Sequence, residues 1–205
     1  MSDYDDLVAA LSPVSAAFTR LGIRHYVGGS VASSFHGASR STMDVDLVAE
    51  MSNSAVSDFL NCFDKDFYVS EAAVRDAIRR KSCFNLIHLP TSFKVDVFVS
   101  HQRSFDVTAM NRARLERIGD SQVIEIHVAT PEDAIISKLE WYRKTNETSE
   151  RQWEDVTRLL KLLGDAADTK YLRASAESVG VQDLLERVIL EIKVRNSGRL
   201  RPEST

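Results

Sequence analysis

The sequence predicts an α+β fold, in which a mixed β-sheet flanked by helices over residues 1–129 is followed by a helical bundle over residues 130–195. Two observations lead to this prediction. Short segments with the two-residue alternation of β-strands occur between helical segments, but only as far as Ala129. From Thr130 onward, every apolar pattern has the period of an α-helix. We expect the last residues, 196–205, to form a disordered tail.

The N-terminal elements are predicted as a helix, a short strand and a second, shorter helix. Apolar residues recur at helical spacing over residues 5–21. Within this segment Ser12-Pro13 resembles an N-cap followed by proline, so either one broken helix or two short ones would fit. Residues 23–27 are predicted as a strand. After the sequence Gly28-Gly29-Ser30, residues 31–36 are predicted as a short helix.

The rest of the sheet domain is predicted to contain both strands and helices. The predicted strands cover residues 44–48, 83–89, 93–99 and 122–128. The predicted helices cover residues 52–63, 71–81 and 108–116. In the C-terminal bundle, Thr130-Pro131-Glu132-Asp133 is a strong helix start, because it combines a capping threonine, a proline and early acidic residues. The predicted helices of the bundle cover residues 132–144, 150–163, 169–178 and 181–194.

Charge and composition limit the function classes. The chain has 26 Lys and Arg residues and 30 Asp and Glu residues, a net charge of -4, so no global basic field attracts a nucleic acid. The N-terminus is acidic where a signal peptide needs a basic stretch, and no run approaches the roughly 18 apolar residues of a membrane span. We therefore expect a cytoplasmic protein that does not bind membranes. Cys62 and Cys83 lack zinc-ligand spacing and have apolar neighbours, which favours buried free thiols.

A glycine-rich turn and three aspartates form the most informative pattern. A strand leads into Gly28-Gly29-Ser30, where the start of a helix offers free backbone N–H groups to a phosphate. Thirteen residues separate Ser30 from Asp44, and Asp44 and Asp46 alternate with apolar residues, so both face one side of a strand. Asp96 lies in another, apolar strand, where an uncompensated charge would be costly. Three such carboxylates need a cation, and hard oxygen ligands suit Mg²⁺ or Mn²⁺.

These residues resemble the polymerase-β-like nucleotidyltransferase superfamily, whose hallmark is a Gly-Ser pair, a spacer, an Asp-hydrophobic-Asp strand and a later third carboxylate. Gly29-Ser30, Asp44, Asp46 and Asp96 match this pattern, and the resemblance covers about residues 20–100. A narrower resemblance is to stand-alone bacterial nucleotidyltransferases, including those of abortive-infection and toxin-antitoxin systems. The residues that carry it are His36-Gly37, Arg40-Ser41-Thr42, Thr130-Pro131-Glu132-Asp133 and Lys138-Leu139.

The resemblance implies transfer of a nucleoside monophosphate from a nucleoside triphosphate to an acceptor, with release of pyrophosphate. It implies that Asp44, Asp46 and Asp96 hold Mg²⁺ or Mn²⁺ and that Asp96 lies nearest the acceptor hydroxyl as its base. Arg40 and Lys138 are candidates for neutralising phosphate charge. For Arg40, Thr42 and Lys138, loop solubility or helix packing is an equally open interpretation. The expected nucleotide-binding residues are Gly28, Gly29, Ser30, Arg40, Thr42 and Lys138.

The resemblance leaves the acceptor open between an RNA such as a tRNA, a partner protein and a small hydroxylated molecule such as an aminoglycoside. A basic cluster could hold a tRNA end, although a solvated helix face is the favoured interpretation of its residues, Arg75, Arg79, Arg80 and Lys81. A second function class is an antitoxin-like or partner-binding module with little or no turnover, with a toxin or antitoxin as its partner. The intact carboxylates argue against a pure loss of activity.

Overall fold

The strands form one mixed sheet with the order β3-β4-β5-β2-β1-β7-β6. The computed structural model describes residues 3–37, 44–119 and 121–198. Two strand pairs, β2 with β5 and β1 with β7, are parallel, and the others are antiparallel. The strands are β1 His25–Val27, β2 Asp44–Ala49, β3 Phe67–Val69, β4 Cys83–His88, β5 Phe93–Val99, β6 Arg114–Ile118 and β7 Ile124–Val128.

Helices flank the strands in sequence and account for the regular structure after Thr130 in the described residues. The predicted α+β class is therefore confirmed. Two short 3₁₀ turns, Asn53–Ala55 and Gly164–Ala166, accompany the helices. The helices are α1 Asp3–Arg20, α2 Gly29–Phe35, α3 Val56–Leu60, α4 Glu71–Arg80, α5 Ser104–Arg112, α6 Pro131–Lys144, α7 Glu150–Leu163, α8 Thr169–Ser178 and α9 Gln182–Gly198.

The described chain divides into two compact units. The sheet unit comprises the described residues up to Ser34 and those from Asp44 to Thr130. The helical unit comprises residues 35–37 and the described residues from Pro131 onward. No helix in the described part of the chain is long and apolar enough to cross a membrane.

One face of the central sheet is the core of the sheet unit. Along β5 every second side chain, from Phe93 to Val99, is buried, and Val45, Leu47 and Ala49 of β2 are fully buried beside them. The ring of Phe18 in α1 stacks on that of Phe59 with 4.9 Å between centroids, which adds aromatic packing to this core. Because side chains alternate between the faces of a strand, the residues between these buried positions must point to the opposite face.

Helix α1 is continuous through Pro13, which decides between the two interpretations of residues 5–21. Pro13 lies on the exposed side of the helix, whereas Leu11, Val14 and Phe18 are fully buried. Burial of an apolar stripe on both sides of the proline offsets the cost of the missing backbone donor.

The prediction of a helix over residues 108–116 is wrong. Helix α5 begins earlier, at Ser104, where the Arg103 backbone N–H donates to Asp106 Oδ2 over 2.9 Å in a capping box. The chain then becomes β6, whose Arg114 pairs with Val128 in an antiparallel ladder. This strand is mostly exposed, with Ile118 as its buried residue, so it lacks the regular alternation that marks a strand in the sequence.

Two further expectations need correction. The predicted helix over residues 52–63 is a 3₁₀ turn followed by the short helix α3. The cysteines are both free, but they are not buried: Cys62 is half-buried and Cys83 is exposed. Cys83 is exposed because it lies on the face of β4 that is opposite to the buried Phe84 and Leu86.

Candidate active site

The three predicted metal ligands lie on the open face of two neighbouring parallel strands. In the register of β2 and β5, Asp46 is the direct partner of Asp96, and Asp44 is the direct partner of Lys94. The Asp96 side chain is 17% exposed and that of Asp44 is 52% exposed, so the carboxylates range from sheltered to open. The structure therefore brings Asp44, Asp46 and Asp96 together on one surface, although 49 residues lie between Asp46 and Asp96 in the sequence.

Lys94 forms ion pairs with two of these carboxylates, and the sequence analysis did not predict it as a residue of the site. Its Nζ lies 2.9 Å from Asp96 Oδ2 and 3.6 Å from Asp44 Oδ1. The hydrogen bond to Asp96 raises the pKa of Lys94 above its ordinary value; burial opposes this rise, and the charges of Asp96 and Asp44 add to it. The lysine is thus held as a cation. Its position two residues before Asp96 on the same strand was the signal that could have revealed it.

The turn after β1 is fixed against Asp46. The Gly28 N–H donates to the carbonyl oxygen of Asp46 over 2.8 Å, which extends the pairing of β1 with β2 into the turn. Gly29 has φ +57°, and a Cβ placed on it would overlap the Asp46 carboxylate. Only glycine permits this close approach, so Gly29 and Asp46 form one local arrangement.

Helix α2 starts at this turn, with Gly29 and Ser30 as its first two residues. Ser30 is half-buried. The hydroxyls of Ser33 and Ser34 donate to the carbonyl oxygens of Gly29 and Ser30 over 3.0 and 3.1 Å, so they serve the helix itself. Gly29 of the glycine-serine element thus lies against Asp46, and a role of this element in holding the triphosphate stays a prediction.

The other expected nucleotide-binding residues are Arg40, Thr42 and Lys138. Arg40 and Thr42 lie outside the described residues. Lys138 belongs to α6 in the helical unit and is only 5% exposed. Its Nζ donates to Asp155 Oδ2 over 2.8 Å and to Gln152 Oε1 over 3.4 Å. A nucleotide contact of Lys138 stays a prediction, and the interaction that the structure displays is a buried ion pair.

The carboxylates of Asp44, Asp46 and Asp96 are suitable ligands for a divalent metal, but in this structure they do not converge on one position. Carboxylate oxygens on one open face are the ligands that Mg²⁺ and Mn²⁺ prefer. Within residues 3–37, 44–119 and 121–198, however, no three acidic, histidine or cysteine side chains converge closely enough to hold an ion. Asp44 and Asp96 are engaged with the Lys94 ammonium instead. The residues therefore match a metal site in the type of their ligand atoms, and their role as metal ligands stays a prediction.

The open face continues beyond the carboxylates toward the β3 edge of the sheet. Asn85 of β4 is the direct partner of Asp96, and Ile87 is the direct partner of Lys94. Tyr68 of β3 pairs with Ile87, and its side chain is 57% exposed. Directly paired residues of neighbouring strands share a face, so these side chains border the carboxylates on the side away from Gly29.

Solved structures that resemble this chain include several nucleotidyltransferases. An antigenic nucleotidyltransferase-like protein from Paracoccidioides brasiliensis is 16% identical, with a TM-score of 0.49 and coverage of 91% of this chain and 92% of that one. ANT(2")-Ia in complex with adenylyl-2"-tobramycin is 13% identical, with a TM-score of 0.49 and coverage of 82% and 95%. A tRNA nucleotidyltransferase complexed with a primer tRNA and an ATP analog is 14% identical, with a TM-score of 0.30 and coverage of 86% and 60%.

Two of these descriptions name the class that the sequence resemblance had indicated. At TM-scores below 0.5 and such low identities, the similarities say nothing about what this chain acts on. No protein-family model and no curated protein sequence matches the chain. Its function has to be inferred from its own residues.

Proposed function

We propose that the chain is a metal-dependent nucleotidyltransferase that transfers a nucleoside monophosphate from a nucleoside triphosphate to a hydroxyl group of an acceptor. The observation that carries this proposal is the pairing of Asp46 with Asp96 across parallel strands, with Asp44 on the same face and Gly29 against the Asp46 carboxylate. A set of carboxylates beside a glycine-rich turn is suited to phosphoryl transfer, because both metal ions and phosphate oxygens find ligands there.

The reaction forms a bond between the acceptor oxygen and the α-phosphorus and breaks the bond from that phosphorus to the bridging oxygen, so that pyrophosphate leaves. In this proposal Asp44, Asp46 and Asp96 would hold Mg²⁺ or Mn²⁺. When bound there, the metal supplies charge neutralisation for the triphosphate and the leaving group. Asp96 would also accept the proton of the acceptor hydroxyl, because its side chain is more sheltered than that of Asp44 and borders the open part of the face.

The nucleotide would be held by the turn and the start of α2. Gly29 and Ser30 would provide backbone N–H groups and a hydroxyl to the phosphates, and Gly28 would hold the turn in place through its N–H, which donates to the Asp46 carbonyl oxygen. Arg40 and Thr42, from the segment that precedes Asp44, remain our candidates for phosphate contacts, as does Lys138 if its ion pair opens on nucleotide binding.

The proposed acceptor is an RNA such as a tRNA, a partner protein or a small hydroxylated molecule. The charge pattern of α4 argues against binding of a tRNA by this helix. Its arginines are already paired: Arg75 with Glu71 over 2.7 Å, Arg80 with Asp76 over 3.1 Å, and Arg79 also with Asp76. Neutralised arginines on an exposed helix attract an RNA backbone weakly. A solvated helix face therefore remains the favoured interpretation of this cluster.

Incubation with a cell extract tests the proposal. The purified protein, Mg²⁺ and each of four α-labelled nucleoside triphosphates are combined with extract, beside the Asp44→Ala/Asp46→Ala variant. A control variant, Glu125→Gln, removes an exposed carboxylate from β7. We expect label transfer by the native chain and the control, and loss of at least about 100-fold in the double variant. Equal transfer by the double variant, or no metal-dependent nucleotide binding, would show that the proposal is wrong. Nucleotide binding without transfer would favour the partner-binding alternative.

A further inference from the structure

The ammonium group of Lys94 lies between carboxylates from two different strands. It is 2.9 Å from Asp96 Oδ2 on its own strand and 3.6 Å from Asp44 Oδ1 on β2. Asp44 is also its direct partner in the parallel register. A lysine that merely covered a strand would have its charged end in water, but here the stem spans the face and the charged end lies among the acids.

A cation at this position reduces the repulsion among the three carboxylates. Asp44, Asp46 and Asp96 share one face on adjacent strands, and like charges in such positions destabilise a sheet. Lys94 offsets part of this repulsion while it holds two of the three carboxylates. Two of the three acids are thus turned toward the lysine.

We propose that Lys94 is a resident cation of the metal site, which occupies the space between Asp44 and Asp96 until a divalent ion displaces it. The inference rests on the proposed function to the extent that these carboxylates bind a metal. It adds that the first metal ion has to compete with a tethered ammonium. Binding of metal without nucleotide is then weaker than the three carboxylates alone would allow, and it is coupled to movement of the Lys94 side chain.

A Mn²⁺ titration of the full chain without nucleotide, followed by EPR of the free ion, tests this competition. Lys94→Met keeps the apolar stem and removes the charge, and we expect it to bind Mn²⁺ about five-fold more tightly, the effect of losing a half-exposed ion pair. Lys94→Arg retains a competing cation and should stay within about two-fold of the native chain. Lys65→Met removes an equal charge from an exposed loop and should leave Mn²⁺ binding unchanged.

A second measurement uses the unaltered chain. The native chain is treated with an amine-acylating reagent with and without Mn²⁺, and the modification of each lysine is quantified by peptide mass spectrometry. We expect Mn²⁺ to increase the modification of Lys94 at least two-fold and to leave Lys65 unchanged, because displacement frees the ammonium from Asp44 and Asp96.

The outcomes separate this inference from the proposed function. If the native chain binds Mn²⁺, Asp46→Asn abolishes the binding, and Lys94→Met binds no more tightly, the inference is wrong and the metal site stands. The same holds if bound Mn²⁺ leaves the modification of Lys94 unchanged. If neither the native chain nor Lys94→Met binds Mn²⁺, both the inference and the metal-dependent function are contradicted.

Discussion

Gly29 links the conformation of one residue to the position of a proposed metal ligand. Its φ of +57° lies in the left-handed region, and the space that a Cβ would fill is taken by the Asp46 carboxylate. A side chain at position 29 would strain the backbone and would also overlap the Asp46 carboxylate. These two costs can be separated, because Gly22 has a similar φ of +66° and nothing within 4 Å of an added Cβ.

We expect Gly22→Ala to lower the free energy of unfolding by about 1 kcal/mol, the cost of a left-handed alanine, without affecting metal binding. Gly29→Ala should lose more stability than this and should also weaken Mn²⁺ binding, because Asp46 has to move. Urea unfolding and the Mn²⁺ titration measure the two effects. Equal stability losses in both variants, together with unchanged Mn²⁺ binding, would contradict the contact between Gly29 and Asp46.

At the scale of single residues, the shared face of the three aspartates could be predicted from the sequence, but the residues that contact or pair with them could not. Asp44 and Asp46 follow from strand alternation, and Asp96 follows from its apolar neighbours together with the superfamily pattern. Lys94 was not predicted, because an amine is not a metal ligand. Its position two residues before Asp96 indicates that the two side chains share a face, and the fold adds that its charged end contacts Asp44 as well. The partnership of Asn85 with Asp96 was also invisible, since it depends on the register of the hairpin.

The strand β5, which pairs with a strand on each side, was predicted well, and the two strands at the edges of the sheet were not. The limits of β5 agree with the predicted residues 93–99 because its side chains alternate strictly between buried and half-buried. The short strand β3 and the strand β6 lie at opposite edges of the sheet and were missed. An edge strand has one pairing partner and a small buried area, so its sequence is little constrained.

His25 connects helix α1 to strand β1 and gives the sheet unit a dependence on pH. Its Nδ1 donates to the Ile23 carbonyl oxygen over 3.0 Å, and its Nε2 accepts from Ser15 Oγ over 2.8 Å. Burial lowers the pKa of His25; the hydrogen bond to Ile23 opposes this, and the nearby His127 adds to the lowering. The folded chain therefore prefers the neutral imidazole.

Because the pKa of His25 is lower in the folded than in the unfolded chain, its contribution to stability is complete above about pH 6.5 and is lost as the pH falls below that value. We expect the native chain to lose more stability between pH 7 and pH 5 than His25→Gln does. Urea unfolding at both pH values gives the difference, in which the other titrating groups cancel. An equal loss in the two proteins would contradict a desolvated His25.

The Lys138–Asp155 pair joins α6 to α7, and both side chains are less than a tenth exposed. We expect Lys138→Met to lower the free energy of unfolding by about 3 kcal/mol, since it leaves a buried carboxylate without its cation. Lys161→Met, on the exposed side of α7, should change it by less than about 0.5 kcal/mol. Urea unfolding and nucleotide titration measure the two possible roles. A variant that keeps its stability but loses nucleotide affinity would instead assign Lys138 to the triphosphate.

Over the whole molecule, the order of elements was predicted more fully than their pairing. The change from strands to helices near Thr130 could be predicted from the sequence because the apolar period changes there. The limits of α7 and α8 also agree, helped by the Asp168 side chain, which accepts from the Tyr171 N–H at the start of α8. The parallel register of β2 with β5 could not be predicted, because nothing in either strand's sequence specifies its neighbour.

The proposed metal ligands and the glycine-rich turn all belong to the sheet unit. The sheet unit contains Gly28, Gly29, Ser30 and the three aspartates, to which we assign the binding of metal and nucleotide in the proposed function. The net charge of -4 gives no long-range attraction for a polyanionic acceptor.

The most direct test of metal-dependent nucleotidyl transfer is to compare which phosphate of the nucleotide reaches the acceptor. The protein, extract and Mg²⁺ are incubated in parallel with α-labelled and γ-labelled forms of each nucleoside triphosphate, with and without EDTA. We predict that the α-label becomes attached to the acceptor, that the γ-label is released as pyrophosphate, and that EDTA and Asp46→Asn abolish both. Attachment of the γ-label, or attachment of the α-label that persists in EDTA or in Asp46→Asn, would contradict the assignment.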